Sequence, residues 1–225
     1  MHEDMTDEEE EREERYWVAC HEAGHAIAGV FAARALCGND LGFWSLHLPN
    51  PAKGEDMIVR ERSVHGRTEQ HKHYVLLPRE FRRLPTNQWT VQAMHWTIKT
   101  ALAGGIAELR AKIPKCAVKR NWKEQAPFEY YAYQVGVDDD LEHARGVLEA
   151  LNDYQESKNS PPYEMETFYW QTRDLLHPVW NAIDALGKVL AEAYELNFDE
   201  AIKVIAPHLP SYDDSSFRFK RVKCR

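Results

Sequence analysis

The run His21-Glu22-Ala23-Gly24-His25 reads H-E-x-x-H and lies inside a long helical pattern. Tyr16, Trp17, Cys20, Ala23, Ile27, Val30 and Phe31 recur at three- and four-residue steps. That periodicity predicts one helix over residues 9–36, stopped by Gly38, Asn39 and Asp40. Positions i and i+4 of a helix lie about 40° apart, so both imidazoles can face a single ion. Zinc favours imidazole nitrogen in a tetrahedral shell with one position left for water. Glu22 falls about 100° around the helix from His21, beside such an ion and not on it. There its carboxylate can take a proton from the attacking water. Ala23, Gly24 and Ala26 leave room for a ligand. The competing reading is a helix that merely exposes two histidines.

A zinc site of this kind needs a third protein ligand. A third histidine six residues after His25 would stand at position 31, which is Phe31. Acids remain as candidates: Glu108 in the segment Gly104-Gly105-Ile106-Ala107-Glu108-Leu109, and the cluster Asp138-Asp139-Asp140 that opens a helical pattern. A carboxylate in the first turn of a helix is held rigidly and kept ionised by the positive end of the helix dipole, which favours the cluster.

The remaining pattern predicts a mainly α chain with one small β-sheet, an α+β arrangement. Residues 42–48 alternate apolar and polar and read as a strand, 49–54 as a turn, and 57–64 as the return strand of a hairpin. Residues 65–85 read as loops. Residues 87–112 have helical spacing and contain Gly104 and Gly105, each costing roughly 1 kcal/mol relative to alanine in a helix interior. Such glycines point to close backbone approach. Residues 114–136 read as an aromatic-rich loop or extended insertion. Residues 138–158 form a helix with Leu141, Ala144, Val147, Leu148 and Leu151 on its apolar face. Ser160-Pro161-Pro162 starts a further helix to residue 196, broken or kinked at Pro178. Asn197 with Glu200 resembles a capping box for a last helix through Ile205.

Charge divides the chain. Of 225 residues with a net charge of −8, residues 1–14 carry nine acids and one base, leaving 27 of each sign elsewhere. The expected organisation is a disordered acidic tail over 1–14, one domain over 15–210 and a basic tail over 211–225. The acidic N-terminus is the opposite of a secretory leader, and no stretch approaches the ~18 apolar residues of a membrane span. Membrane insertion and classical secretion are disfavoured. Cys20, Cys37, Cys116 and Cys224 are scattered with no C-x-x-C pair, which fits a reducing cytosol and neither a disulfide scaffold nor a zinc ribbon. Cys20 reads as core. His65, His71 and His73 read as surface histidines in preference to a second metal site. The basic stretch 60–83 could meet nucleic acid, but the neutral body and acidic tail argue against that partner.

Four segments together resemble the peptidase domain of FtsH-type ATP-dependent zinc metalloproteases. ACHEAGHAIAG around the motif is similar to that family's peptidase motif. LAGGIAEL over 102–109 resembles its glycine-glycine-arginine helix, with Ile106 in the arginine position. GVDDDLEHA over 136–144 resembles the segment that supplies the third zinc ligand, and Asp140 falls on the ligand position. Residues 180–205 are similar to the closing helices, so the resemblance spans roughly 15–206. It implies a zincin-like helical body with zinc held by His21, His25 and Asp140 and with Glu22 as the catalytic base. Asp139 and Glu108 are the alternatives to Asp140.

The family carries membrane anchors and an ATPase module ahead of the peptidase. This sequence contains neither, and Gly187-Lys188 is followed by Val189, so no phosphate loop is present. The stretches about 50–85 and 113–135 are longer than in the family. The implied activity is a cytoplasmic zinc peptidase acting on accessible or unfolded polypeptides. It would not itself be ATP-driven, and a separate unfoldase or regulatory protein is a possible partner. Family peptidase domains form rings, which leaves a homo-oligomer open. The family aligns substrate along an exposed strand edge, a role for residues 41–48 or 57–64. The contrasting reading is a catalytically silent module that keeps the fold and regulates a partner.

Overall fold

The computed structural model describes residues 6–38, 43–53, 67–70, 87–113, 128, 131 and 138–210. Helix α1 (Asp7–Cys37) runs 31 residues. Thr6 caps it through a complete capping box with Glu9, and Asp7, Glu8, Glu9 and Glu10 fill its first turn. Glu11 also accepts from Arg15 at 2.7 Å one turn on. The helix therefore starts two residues ahead of the predicted residue 9 and takes in residues 7–14, which the charge pattern alone assigned to a tail. The acids sit where the helix dipole stabilises them, and the cap satisfies the first free N–H groups. Residues 1–5 and 211–225 lie outside the described residues. Gly38 ends α1 in the left-handed region, φ 71°, with its N–H on the carbonyls of Ala33 and Arg34.

From Ala19 to Ala33 every residue of α1 is buried, so this stretch is enclosed on all sides. It packs on α2 (Gln88–Lys112) and on α5 (Trp180–Ala193). Helix α2 starts at the Asn87 cap, whose side chain accepts from Thr90 N–H. It packs in turn on α3 (Asp138–Ser157) and α4 (Met165–Leu176). The apolar face of α3 is as the spacing predicts, with Leu141, Ala144, Val147 and Leu151 buried. A close approach holds α1 to α2. A Cβ on Gly24 would stand 2.5 Å from the Ala103 carbonyl oxygen and 2.8 Å from the Ala107 methyl, so only glycine lets the backbones meet there.

Residues 160–164 lie outside any helix, with Glu164 extended, so α4 starts at Met165 and not at the proline pair. Asn152 clamps this stretch by accepting from Tyr163 N–H at 2.8 Å and donating to the Tyr163 carbonyl at 3.1 Å. The Pro178 region is a short 3-10 turn between α4 and α5. Helix α5 ends at Tyr194, in the left-handed region at φ 63°.

The sheet is small and antiparallel, in the order β2-β1-β3, from β1 (Phe43–His47), β2 (Arg67–Gln70) and β3 (Glu195–Asn197). Leu46 pairs with Thr68 on one side and Leu196 on the other. The partner strand of β1 falls in the stretch read as loops, and the expected return strand 57–64 lies outside the described residues. Strand β1 is central over Ser45–His47 and paired on both sides, so this part offers no free edge to a substrate. Asn197 then caps α6 (Phe198–Ile205) in a complete capping box with Glu200, as the sequence predicts. Among the described residues no helix is long and apolar enough to cross a membrane.

Candidate metal centre

The site forms where α1, α2 and the start of α3 meet. His21 and His25 stand one turn apart on the buried part of α1, with rings edge-on at 74° and centroids 4.7 Å apart. Asp140 reaches them from the first turn of α3. His21 Nε2, His25 Nε2 and Asp140 Oδ2 form a triangle whose three sides are each 3.0 Å. These three residues could together hold a metal ion. Asp139 is exposed and outside this group.

The far side of each ring fixes its protonation. His21 Nδ1 lies 2.9 Å from Glu108 Oε2, and His25 Nδ1 lies 2.7 Å from the Thr100 carbonyl oxygen. A carboxylate and a carbonyl can only accept, so each Nδ1 carries the hydrogen and donates. When the rings are neutral, both Nε2 atoms then present lone pairs to each other and to the Asp140 carboxylate. Three acceptors 3.0 Å apart repel unless a cation lies among them. Tetrahedral zinc, bonded at about 2.0–2.1 Å to nitrogen and oxygen, separates its ligand atoms by about 3.3 Å, close to the triangle found here. Glu108 is not among the three converging groups. It orients His21 from behind and is itself held by Lys112, an arrangement that fixes the ring and raises its basicity.

Charge points the same way. Burial alone would lower the pKa of His21, but Asp140 and Glu108 outweigh it and carry it well above the ordinary value. The His25 pKa is likewise lowered by burial and raised more by Asp140. Burial would raise the Asp140 pKa, yet the two histidines bring its carboxyl far below the usual range. Glu108 follows suit, its burial overcome by His21 and Lys112. The centre is a concentration of negative charge that favours a cation, and a dication meets that demand without protonating the rings.

Gly104 of α2 lies directly against the two imidazoles. A Cβ there would stand 2.6 Å from His21 Nε2 and closer still to His25 Nε2, so only glycine lets α2 approach both rings. The glycine pair read from the sequence as a close approach thus has one member facing the imidazoles. Glu22 is 4% exposed, and its charge raises the pKa of both rings, which puts it beside them and not among the three converging atoms. Tyr131 is fully buried, donates to the Leu102 carbonyl at 3.4 Å, and is kept protonated by burial and the nearby Asp140 charge. Cys20, next to His21, is core as read: burial pushes its thiol up to about 12.

The sequence did not point to the Thr100 carbonyl, since a backbone acceptor leaves no residue-type signal. Lys112 was readable in principle, standing four residues after Glu108 on one helix. His65, His71 and His73 lie outside the described residues. No protein-family model matches the chain, and no curated protein does.

Proposed function

We propose that this chain is a zinc-dependent peptidase that hydrolyses peptide bonds in accessible or unfolded polypeptides. The observation that carries the reading is the 3.0 Å triangle of His21, His25 and Asp140 beside the buried Glu22. Two imidazoles and a carboxylate leave one position open on zinc, the donor arrangement of a catalytic and not a structural site. Bound there, zinc supplies Lewis acidity, polarising the scissile carbonyl and making water acidic enough to lose a proton near neutral pH. The chain does the rest. Glu22 takes the proton of the attacking water and passes it to the departing amine. Glu108 and the Thr100 carbonyl keep the rings aimed, and Gly104 keeps the approach open. The four-segment resemblance to FtsH-type peptidases supports the same chemistry. The free thiols Cys20 and Cys37 suit a cytoplasmic setting, and a separate unfoldase is the partner such a body would use on folded substrates.

The test is cleavage of unfolded casein by the zinc-loaded chain and by Glu22→Gln. The expected outcome is cleavage by the wild type and a loss of about 10²–10⁴-fold in Glu22→Gln at full zinc content. Stoichiometric zinc with no cleavage of any unfolded chain would favour a catalytically silent regulatory module instead.

A further inference from the structure

Lys112 is the last residue of α2, and its ammonium donates to the Glu108 carboxylate one turn earlier. A cation and an acid four residues apart on an exposed helix face contribute little, because water screens them and both side chains must be held still. Arg15 and Glu11 are such a pair, with the acid 45% exposed. The Lys112 pair differs in where its acid lies and in what that acid does. The Glu108 side chain is 10% exposed, against 34% for Lys112. Its two oxygens serve two partners: Oε1 accepts from Lys112 Nζ, and Oε2 accepts from His21 Nδ1 at 2.9 Å. Among the described residues no other group hydrogen-bonds to this carboxylate. A second contact steadies the ammonium, which lies 5.5 Å from the centre of the Trp17 ring, within reach of a cation–π attraction. Trp17 stands four residues before His21 on α1, as Glu108 stands four before Lys112 on α2. Lys112 is thus held from both helices that carry the imidazoles and their support.

We propose that Lys112 is a positioning residue of the metal centre, acting through Glu108 to aim His21 Nε2 at the ion. The inference rests on the zinc reading of the triangle and not on peptide hydrolysis. The last torsion of a glutamate side chain is broad, so a carboxylate held at one oxygen alone is free to turn. Lys112 holds the other oxygen and removes that freedom. Oε2 then stays in line with Nδ1–H, and the ring keeps Nε2 turned toward His25 and Asp140, 3.0 Å from each. Charge acts in the same direction. A dication balances two of the three carboxylates Asp140, Glu22 and Glu108, and the Lys112 ammonium balances the third. The support of His21 thus runs outward through Glu108 and ends on a side chain that reaches solvent.

The experiment measures zinc affinity by competition against a chromogenic chelator. It compares wild type, Lys112→Met, Lys112→Gln, Lys112→Arg, Glu108→Gln and the double variant Lys112→Met with Glu108→Gln. Thermal melting of each apo protein checks the fold, and a one-third exposed residue at a helix end should shift it little. Lys112→Met and Lys112→Gln should each bind zinc about tenfold more weakly at unchanged stoichiometry, the lower end of the effect of an outer partner. Lys112→Arg keeps the charge and should recover most of that loss. A residue that acts only through Glu108 has nothing left to position once that carboxylate is gone. The double variant should therefore bind zinc as Glu108→Gln alone does, a coupling equal to the whole Lys112 effect. Wild-type zinc affinity in the two uncharged variants would overturn the proposal. So would a double variant in which the two losses simply add. If the wild type takes up no zinc, the zinc reading falls and the proposal falls with it, whereas a zinc-binding wild type with indifferent Lys112 variants removes the proposal alone.

Discussion

Replacing Gly104 by alanine should separate metal affinity from fold stability. The added methyl would stand 2.6 Å from His21 Nε2, 2.7 Å from its Cδ2, and nearer still to His25 Nε2. Comfortable contact needs roughly 3.5 Å, so about 1 Å must be found somewhere. The rings cannot swing aside freely, because Glu108 holds one at 2.9 Å and the Thr100 carbonyl holds the other at 2.7 Å. Moving either ring by about 1 Å takes its hydrogen bond past the useful range. Each such outer partner is worth about 10–100-fold in metal affinity, so losing both predicts zinc binding weaker by about 100-fold or more. The apo fold should notice much less. Alanine gains about 1 kcal/mol over glycine in a helix interior, against an overpacking cost of about 1–3 kcal/mol. Competition against a chromogenic chelator reads the affinity, and thermal melting of the apo protein reads the stability. Wild-type zinc affinity in Gly104→Ala would refute the reasoning, because the methyl would then have found space that the geometry denies it.

Glu108→Gln keeps the size and the three proposed ligands but weakens the acceptor behind His21. Zinc affinity should fall about 10–100-fold with no change in stoichiometry, as read by the same competition. His95 supplies a pH prediction away from the centre. Its folded pKa is depressed by burial to about 4, below the ordinary 6.5, so the unfolded chain binds its proton first as the solution is acidified. Its stability contribution is therefore complete above pH 6.5 and is lost as the pH falls from there toward 4. At about 1.4 kcal/mol per unit, urea unfolding of apo His95→Phe should lose roughly 2–3 kcal/mol less than wild type across that interval. Parallel acid limbs for the two proteins would exclude His95 from the acid response.

The parts of this molecule that announced themselves in sequence are those where a residue type does a job that no other can. H-E-x-x-H places two imidazoles on one helix face, and both lie in the buried stretch of α1. Asn87 and Asn197 cap the helices that follow them. Gly104 marks a close approach. Spacing alone left Glu108 open beside the acid cluster, since both precede or follow apolar runs in plausible places. The fold separates them by putting Glu108 behind His21 and Asp140 in front. What stayed hidden was short or locally disguised. Strand β3 has three residues and follows α5 without a glycine or proline, since Tyr194 itself takes the left-handed turn. Strand β2, Arg-Thr-Glu-Gln, has no apolar alternation, so only its pairing with β1 reveals it. The acid run at 7–14 read as a solvated tail by its charge and, from residue 9, as helix by its spacing, and the Thr6 cap makes it the start of α1.

The most direct measurement is the metal content of the purified chain by elemental analysis, for wild type, Asp140→Ala and Asp139→Ala. The expected result is about one zinc per wild-type chain, retained in Asp139→Ala and lost in Asp140→Ala. Full zinc in Asp140→Ala, or a wild type that takes up no zinc when the metal is supplied, would contradict a cation held between His21, His25 and Asp140.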